Sequence, residues 1–346
     1  MELIRGLHNL RPRHRGSVAT IGNFDGVHLG HQAVLGQLAE RGGELGLPVV
    51  VVTFEPQPRE WFTRGETPPR LTRFREKMQL LRRYSVDRVL CLRFDARLAA
   101  MPARAFVQRV LVEGLGVRYL VVGDDFRFGR GQEGDFALLQ AEGARHGFQV
   151  AAMHAFCIGG QRVSSTRVRA ALAADDLELA EQLLGRPYRM CGRVARGDGR
   201  GHALGFPTAN IHLHRRRAPV SGVYAVELFG LEGEPWPGVA NVGTRPTVGG
   251  GRSQLEVHLL DYPGGELYGR HVHVDFLAKL RAERRFPSLE ALVAQIGRDV
   301  EAARAFHARR GARGPQRGQA GGPAGGERST QEQRRGPCPS AITSTP

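Results

Sequence analysis

His28 and His31 stand three residues apart in GNFDGVHLGH (22–31), between a short apolar run, Ser17–Ile21, and a helical pattern, Gln32–Glu44. Two imidazoles at that spacing at a helix start fall on one face. Gly22, Gly26 and Gly30 let a ligand approach the backbone, and a helix N-terminus favours phosphate oxygens. This is the layout for holding a nucleoside triphosphate while its α-phosphate is attacked. A metal site is the main rival reading, but no cysteine or acidic cluster accompanies the histidines, although Asp25 is close. The plainest alternative is a pair of histidines capping a helix.

Other segments carry groups suited to the same chemistry. TFEPQP (53–58) leaves an apolar run, and Pro56 and Pro58 imply an extended exit with no continued helix or strand. It reads as a pocket wall or a stiff surface loop. VGDDFRFGRGQEGD (122–135) sets Asp125 beside Phe126, Arg127 and Phe128, which suits a nucleotide or flavin pocket. Its Gly129-x-Gly131-x-x-Gly134 does not follow a strand directly and lacks the acidic residue about twenty positions on that a dinucleotide fold uses. VSSTRVR (163–169) places Ser164, Ser165 and Thr166 before Arg167 and Arg169, able to cap a helix and grip phosphate, or simply to cap it.

In the second half, GDGRGHALGFPTAN (197–210) is a glycine-rich flap followed by Thr208 and Asn210, hard oxygen donors suited to Mg2+ and phosphate. Glu256 in LEVH is a carboxylate on an expected strand, either a general base or a solvated outward residue. No Walker A sequence is present, so a kinase here needs a different phosphate cradle.

Positioning these groups takes two kinds of architecture. Ser17–Ile21, Val49–Phe54, Arg88–Leu92, Tyr119–Val122 and Gln149–Met153 read as strands, separated by helical patterns such as Phe74–Arg83 and Phe136–His146. That alternation predicts a parallel α/β sheet with ligands at the carboxyl ends of its strands. Near Arg186-Pro187-Tyr188 the pattern changes to extended runs, Val223–Leu228, Leu255–Leu260 and His271–Phe276, and one helix, Leu289–Ala305. This predicts a small barrel closed by a C-terminal helix. The expected divisions are 1–186, 187–307 and an Arg/Gly/Pro-rich tail, 308–346, too poor in apolar residues to bury a core.

The net charge of +15 invites a nucleic-acid reading, yet Lys77 and Lys279 are the two lysines and arginine is spread along the chain. The tail alone holds seven arginines against two glutamates. A compositional bias accounts for this better than a binding stripe, so nucleic acid is not an expected partner. Scattered cysteines (91, 157, 191, 338) and no leader pattern point to the cytoplasm, and no run is long enough to span a membrane.

Taken together, the ordered motifs over about residues 15–307 resemble the prokaryotic bifunctional riboflavin kinase/FAD synthetase family. The resemblance implies a Rossmann-like nucleotidyltransferase domain of parallel α/β type, then a mostly-β six-stranded barrel with a C-terminal helix. It implies that riboflavin and ATP give FMN and ADP at the barrel, and that FMN and ATP give FAD and pyrophosphate at the first domain, with Mg2+. By matching position, His28 and His31 would stabilise adenylyl transfer, and Gly22, Asn23, Phe24, Asp25 and Gly26 would shape the nucleotide turn. Asp125, Ser164, Ser165, Thr166 and Arg169 would serve nucleotide or phosphate, as would Gly201, Gly205 and Pro207 in the flap. Thr208 and Asn210 resemble the Mg2+ contacts and Glu256 the base on the ribityl hydroxyl. Phe54, Pro56, Phe126 and Phe128 would meet flavin in the first domain, and Arg281, Glu283 and Phe286, from RAERRF, in the second. His202 departs from the Arg or Lys expected there. Apo-flavoproteins would be FAD recipients. Another HxGH nucleotidyltransferase and an Arg-rich RNA-binding protein are the alternatives.

Overall fold

The computed structural model describes residues 1–63, 67–196, 205–215, 217–245 and 252–312. They form two compact units, Met1–Pro68 with Lys77–Ser164, and Pro69–Glu76 with the residues from Ser165 on.

The first unit is built on strands β1 (Glu2–Arg5), β2 (Ser17–Ile21), β3 (Val49–Glu55), β4 (Arg88–Arg93), β5 (Val117–Gly123) and β6 (Gln149–Met153). They pair in parallel in the order β1-β4-β3-β2-β5-β6. Its helices are α1 (Leu29–Leu45), α2 (Pro58–Phe62), α3 (Phe74–Arg83, whose first turn belongs to the second unit), α4 (Ala96–Ala99), α5 (Ala103–Phe106) and α6 (Phe136–His146). A π-helical stretch, Val107–Gly114, continues α5. The Val49–Val52 run is apolar without alternation because both faces of the sheet are covered. Val49 and Val51 face Leu35 and Leu38 of α1, while Val50 and Val52 face Phe106, Val110 and Leu111. The parallel α/β expectation holds. A small hairpin, β7 (Cys157–Ile158) and β8 (Gln161–Arg162), comes after the sheet.

One expectation fails at TFEPQP. Pro58 opens helix α2 rather than prolonging an extended exit, because a proline at the first helical position loses no hydrogen bond and brings a helical φ.

The second unit adds α7 (Ser165–Ala173) and α8 (Leu177–Leu184) to a closed barrel of β9 (Tyr188–Ala195), β10 (Thr208–His212), β11 (Gly222–Phe229), β12 (Trp236–Arg245), β13 (Arg252–Leu259) and β14 (His271–Arg281). The barrel order is β10-β13-β12-β11-β14-β9, antiparallel throughout. Tyr224, Val226, Ala240, Val242, Leu255, Val257 and Phe276 are fully buried. On alternate positions Val223, Ala225 and Val239 pack against Val300 and Ala303 of α9 (Leu289–Ala312). The barrel with its closing helix is as the sequence pattern requires.

Contacts divide the chain differently from composition. Helices α7 and α8 belong with the barrel, because Asp175 between them accepts hydrogen bonds from Tyr224 Oη (3.4 Å) and Lys279 Nζ (2.7 Å). Helix α9 continues past the expected tail start at residue 308 to Ala312. Alanine and arginine are good helix formers, and Arg310 Nε reaches to 4.0 Å from Glu227 Oε1. Residues 313–346 lie outside the described residues.

The segment Pro69–Glu76 is bound into the second unit by buried polar contacts. Arg215 donates from Nη1 to the Arg70 carbonyl (2.7 Å) and pairs through Nη2 with the Glu76 carboxylate. Tyr188 Oη donates to the Leu71 carbonyl (3.1 Å), and the Cys191 N–H to Glu76 Oε1 (3.1 Å). Burial raises the Glu76 pKa, but Arg215, Arg73 and two backbone donors outweigh it and hold the carboxyl below its ordinary value. Burial, with the Glu76 charge nearby, pushes the Cys191 thiol up to about 11, so it stays protonated and inert.

Removing one member of a buried pair strands the other charge, at a cost of about 3–5 kcal/mol. Glu76→Ala is therefore expected to destabilise this unit by that amount, read by urea unfolding of Trp236 fluorescence in a Trp61→Phe background. A loss below about 1 kcal/mol, the range of an exposed pair, would show that the pair contributes nothing. In the wild type this contribution is complete above the ordinary glutamate value of 4.5 and is lost as pH falls through the depressed folded-state value.

Candidate functional site

In the first unit the chain order reverses between β2 and its neighbour β5, and the loops after the adjacent strands β3, β2 and β5 all leave from the carboxyl edge of the sheet. That crevice is where open α/β sheets bind ligands. The β2 loop is the GNFDGVHLGH turn. Gly22 N–H donates to the Val52 carbonyl (3.0 Å), and Phe24, Gly26 and Val27 adopt positive φ of 48°, 83° and 43°. Phe24 and Val27 are buried, so packing sustains a backbone that non-glycine residues avoid. Asp25 is buried beside them.

His28 caps α1, with Nδ1 accepting from the His31 backbone N–H (3.4 Å). When neutral, it carries its hydrogen on Nε2. Its ring stacks on His31 at 3.7 Å, and Phe24 closes on His31 at 4.7 Å. Gly30 leaves room here, since a Cβ would lie 3.3 Å from the His28 ring and press on it. The His31 pKa falls well below its usual 6.5, through desolvation first, then the charges of His28 and Lys77. Two buried polar atoms, Asn23 Oδ1 and His31 Nδ1, have no hydrogen-bond partner. Buried polar atoms are normally satisfied, so orphaned ones at a strand-end crevice point to a polar ligand.

The flanking loops bring aromatic rings. Phe54, Phe94 and Phe62 form an edge-to-face series with centroids 5.9 and 5.6 Å apart. Pro56 comes two residues after Phe54 at the end of β3, and Phe126 stacks on Phe128 at 5.6 Å after β5. Sequence reasoning missed Phe62, which is 65% exposed, and Phe94. For Phe62 the available signal was an aromatic residue closing a short polar helix. Asp125 is held by a bidentate pair with Arg162 (2.6 and 2.8 Å), and this hydrogen bond lowers its pKa.

Ser164 ends the first unit, and Ser165 and Thr166 open α7 in the second. Arg169 Nε donates to the Pro69 carbonyl (2.8 Å), so part of that guanidinium holds the Pro69–Glu76 segment.

On the barrel, Thr208, Asn210, Gln254 and Glu256 lie half-exposed while the alternating Ala209, Ile211, Leu255 and Val257 are buried. Register sets Asn210 and Asn241 on either side of Glu256, and Gln254 opposite Gly243. Paired residues in such a ladder point to the same face. Gln254 Nε2 donates to Asn210 Oδ1 (2.9 Å) and Glu256 Oε1 (3.0 Å). The Glu283 carboxylate lies where a Gly243 Cβ would sit, so a side chain there would displace it. Arg281 is braced by Asp299 (Nη2 to Oδ2, 2.7 Å), and Phe286 lies under both Arg281 and Arg284. Pro207 is held through its carbonyl by His258 Nδ1 (2.9 Å), and Gly205 turns at φ 82°. Gly201 and His202 lie outside the described residues.

Among the described residues no group of three or more His, Cys, Asp or Glu is arranged for a metal. Thr208 and Asn210 offer neutral oxygens alone, a set that fits a Mg2+ carried largely by nucleotide phosphates and water.

Comparison with known proteins finds two family domains in succession. The FAD synthetase family model matches residues 10–167 and the riboflavin kinase model residues 184–307. The bifunctional riboflavin kinase/FMN adenylyltransferase of Escherichia coli K12 is 56% identical over 307 residues, 88% of this chain and 98% of that protein. The protein of the same description from Pseudomonas fluorescens is 57% identical over 309 residues, 89% and 98% of the two chains. A solved structure described as a macrolide-efflux protein from Streptococcus pneumoniae has 28% identity and a TM-score of 0.76, covering 88% of this chain and 99% of that one. The chain belongs to the bifunctional riboflavin kinase/FMN adenylyltransferase family, with an FAD synthetase domain followed by a riboflavin kinase domain.

Proposed function

We propose that residues 187–307 phosphorylate riboflavin and residues 1–186 adenylylate the FMN so formed, with the tail from 308 outside both reactions. At the barrel, Glu256 accepts the proton of the ribityl 5′-hydroxyl as its oxygen attacks the γ-phosphorus of ATP; FMN forms and ADP leaves. Thr208 and Asn210 hold the nucleotide phosphates with Mg2+, which when bound offsets their charge. Gly201, Gly205 and Pro207 belong to the flap over them, and Arg281, Glu283 and Phe286 meet the flavin.

In the first domain an FMN phosphate oxygen attacks the α-phosphorus of a second ATP, giving FAD and pyrophosphate. His28 and His31 donate hydrogen bonds to the charge that develops there. Gly22, Asn23, Phe24, Asp25 and Gly26 cradle the nucleotide. Asp125, Ser164, Ser165, Thr166 and Arg169 serve its phosphates and ribose side, and Phe54, Pro56, Phe126 and Phe128 wall the flavin. No covalent enzyme intermediate is needed. Apo-flavoproteins receive the FAD, the setting is the cytoplasm, and nucleic acid has no part; no described helix is long and apolar enough to cross a membrane.

The observation that supports this reading most is the pair of orphaned atoms, Asn23 Oδ1 and His31 Nδ1, beside the stacked histidines at the strand-end crevice. Incubation with riboflavin, ATP and Mg2+, with flavins resolved by chromatography, should give FMN first and FAD after it. Chelating Mg2+ should stop both. If neither flavin nucleotide forms, the reading is wrong.

A further inference from the structure

Glu256 has a neighbour whose placement no packing requirement explains. Gln254 and Glu256 are two residues apart on β13 and so share a face, and Asn210 lies directly across from Glu256 on β10. The Gln254 amide spans these two, with Nε2 at 2.9 Å from Asn210 Oδ1 and 3.0 Å from Glu256 Oε1. A primary amide nitrogen has two hydrogens, and both are spent in this bridge. The side chain has this lane because its cross-strand partner is Gly243, which adds no side chain of its own to the face.

We propose that Gln254 is a positioning residue for riboflavin phosphorylation, locking the Glu256 carboxylate and the Asn210 carbonyl oxygen into one rigid unit. The proposal rests on Glu256 as the base and Asn210 as the contact to phosphate and Mg2+. Each does its work at a different end of the transferring group. The base must face the attacking hydroxyl while the amide oxygen faces the phosphate side, and in-line transfer fixes the distance between them. Two independent side chains would each sample several rotamers, and a shared donor removes that freedom before substrate binds. The carbonyl oxygen of Asn210 has two lone pairs, so accepting from Gln254 leaves one for a cation or a donor. One bond from Gln254 also fixes which Glu256 oxygen is used structurally, orienting the other.

Gln254→Met keeps the length of the side chain and removes both donors. Outer-layer partners of this kind typically cost about 10- to 100-fold in activity when lost. That loss is expected in kcat for FMN formation, with KM for riboflavin within about threefold, since substrate contacts are untouched. Gln254→Glu keeps the shape and puts a second carboxylate beside Glu256. A carboxylate can donate to neither Asn210 nor Glu256, so kcat for FMN formation should fall at least as far as in Gln254→Met. FAD formation from supplied FMN should be unchanged in both variants, and unaltered urea unfolding of Trp236 fluorescence in the Trp61→Phe background shows that the barrel itself folds. A kcat within threefold of wild type in either variant would overturn the proposal. Glu256→Gln run alongside separates the layers: if it too phosphorylates riboflavin normally, the base assignment itself has failed rather than its positioning.

Discussion

A variant carrying His28→Ala and His31→Ala is expected to convert riboflavin to FMN at the normal rate and to stop there. The rings stack at 3.7 Å over the start of α1, where Gly30 leaves room and the helix N-terminus adds its own positive end. In the function proposed above, both donate to an α-phosphate as it gains charge. Losing one preorganised donor of this kind typically costs about 100- to 1000-fold in rate. Single variants should each show that loss, and the double variant should show less than the product, because stacked neighbours act as a unit.

The pH dependence comes from the His31 environment. Desolvation, then the charges of His28 and Lys77, lower its pKa well below 6.5, so His31 stays neutral through the ordinary imidazole range. Its folded-state value is depressed, so protonation at low pH favours the unfolded chain, and this contribution to stability is lost as pH falls below 6.5. FAD formation from supplied FMN should therefore show no acidic limb attributable to His31 in that range. Initial rates of pyrophosphate release against pH check this. Blocked riboflavin phosphorylation in the double variant would overturn the division of labour.

Glu256→Gln is the complementary experiment. The substitution keeps the shape of the side chain and its place opposite Asn210 but removes the basic carboxylate. Loss of a general base typically costs about 100- to 10,000-fold. Riboflavin should persist, and supplying FMN should restore FAD synthesis, because the other site is unaltered. An amide at 256 would also meet Gln254 Nε2, so donor could face donor unless the new side chain presents its oxygen. Failure to make FAD from supplied FMN would place this carboxylate in the wrong reaction.

Much of the fold is legible in the chain because its patterns are local. The end points of Phe74–Arg83, Phe136–His146 and Gln149–Met153 come from periodicity and flanking residues, and the structure has them at those residues. The Asp135 cap of α6, accepting from Leu138 N–H at 2.9 Å, and Gly147 beyond its end are signals a helix carries in its own sequence. Pro58 is ambiguous in the sequence, because a proline can end a strand or begin a helix. Here the Gln57–Glu60 capping box turns it into a helix start.

The sequence by itself determined the two architectures, the glycine-framed histidines and the strand that bears Glu256, since each depends on neighbours within one turn or one strand. It could not reveal that Pro69–Glu76 is bound by Arg215, Tyr188 and Cys191, from more than a hundred positions away. Nor could it reveal that Phe94 joins Phe54 and Phe62, or that Gln254 bridges Asn210 and Glu256. Those relations come from strand register and chain reversal, which bring distant residues within reach. A polar side chain on a strand has the same spacing whether it faces solvent or completes a site. Tertiary structure decided which, by setting Gly243 and Asn210 beside it.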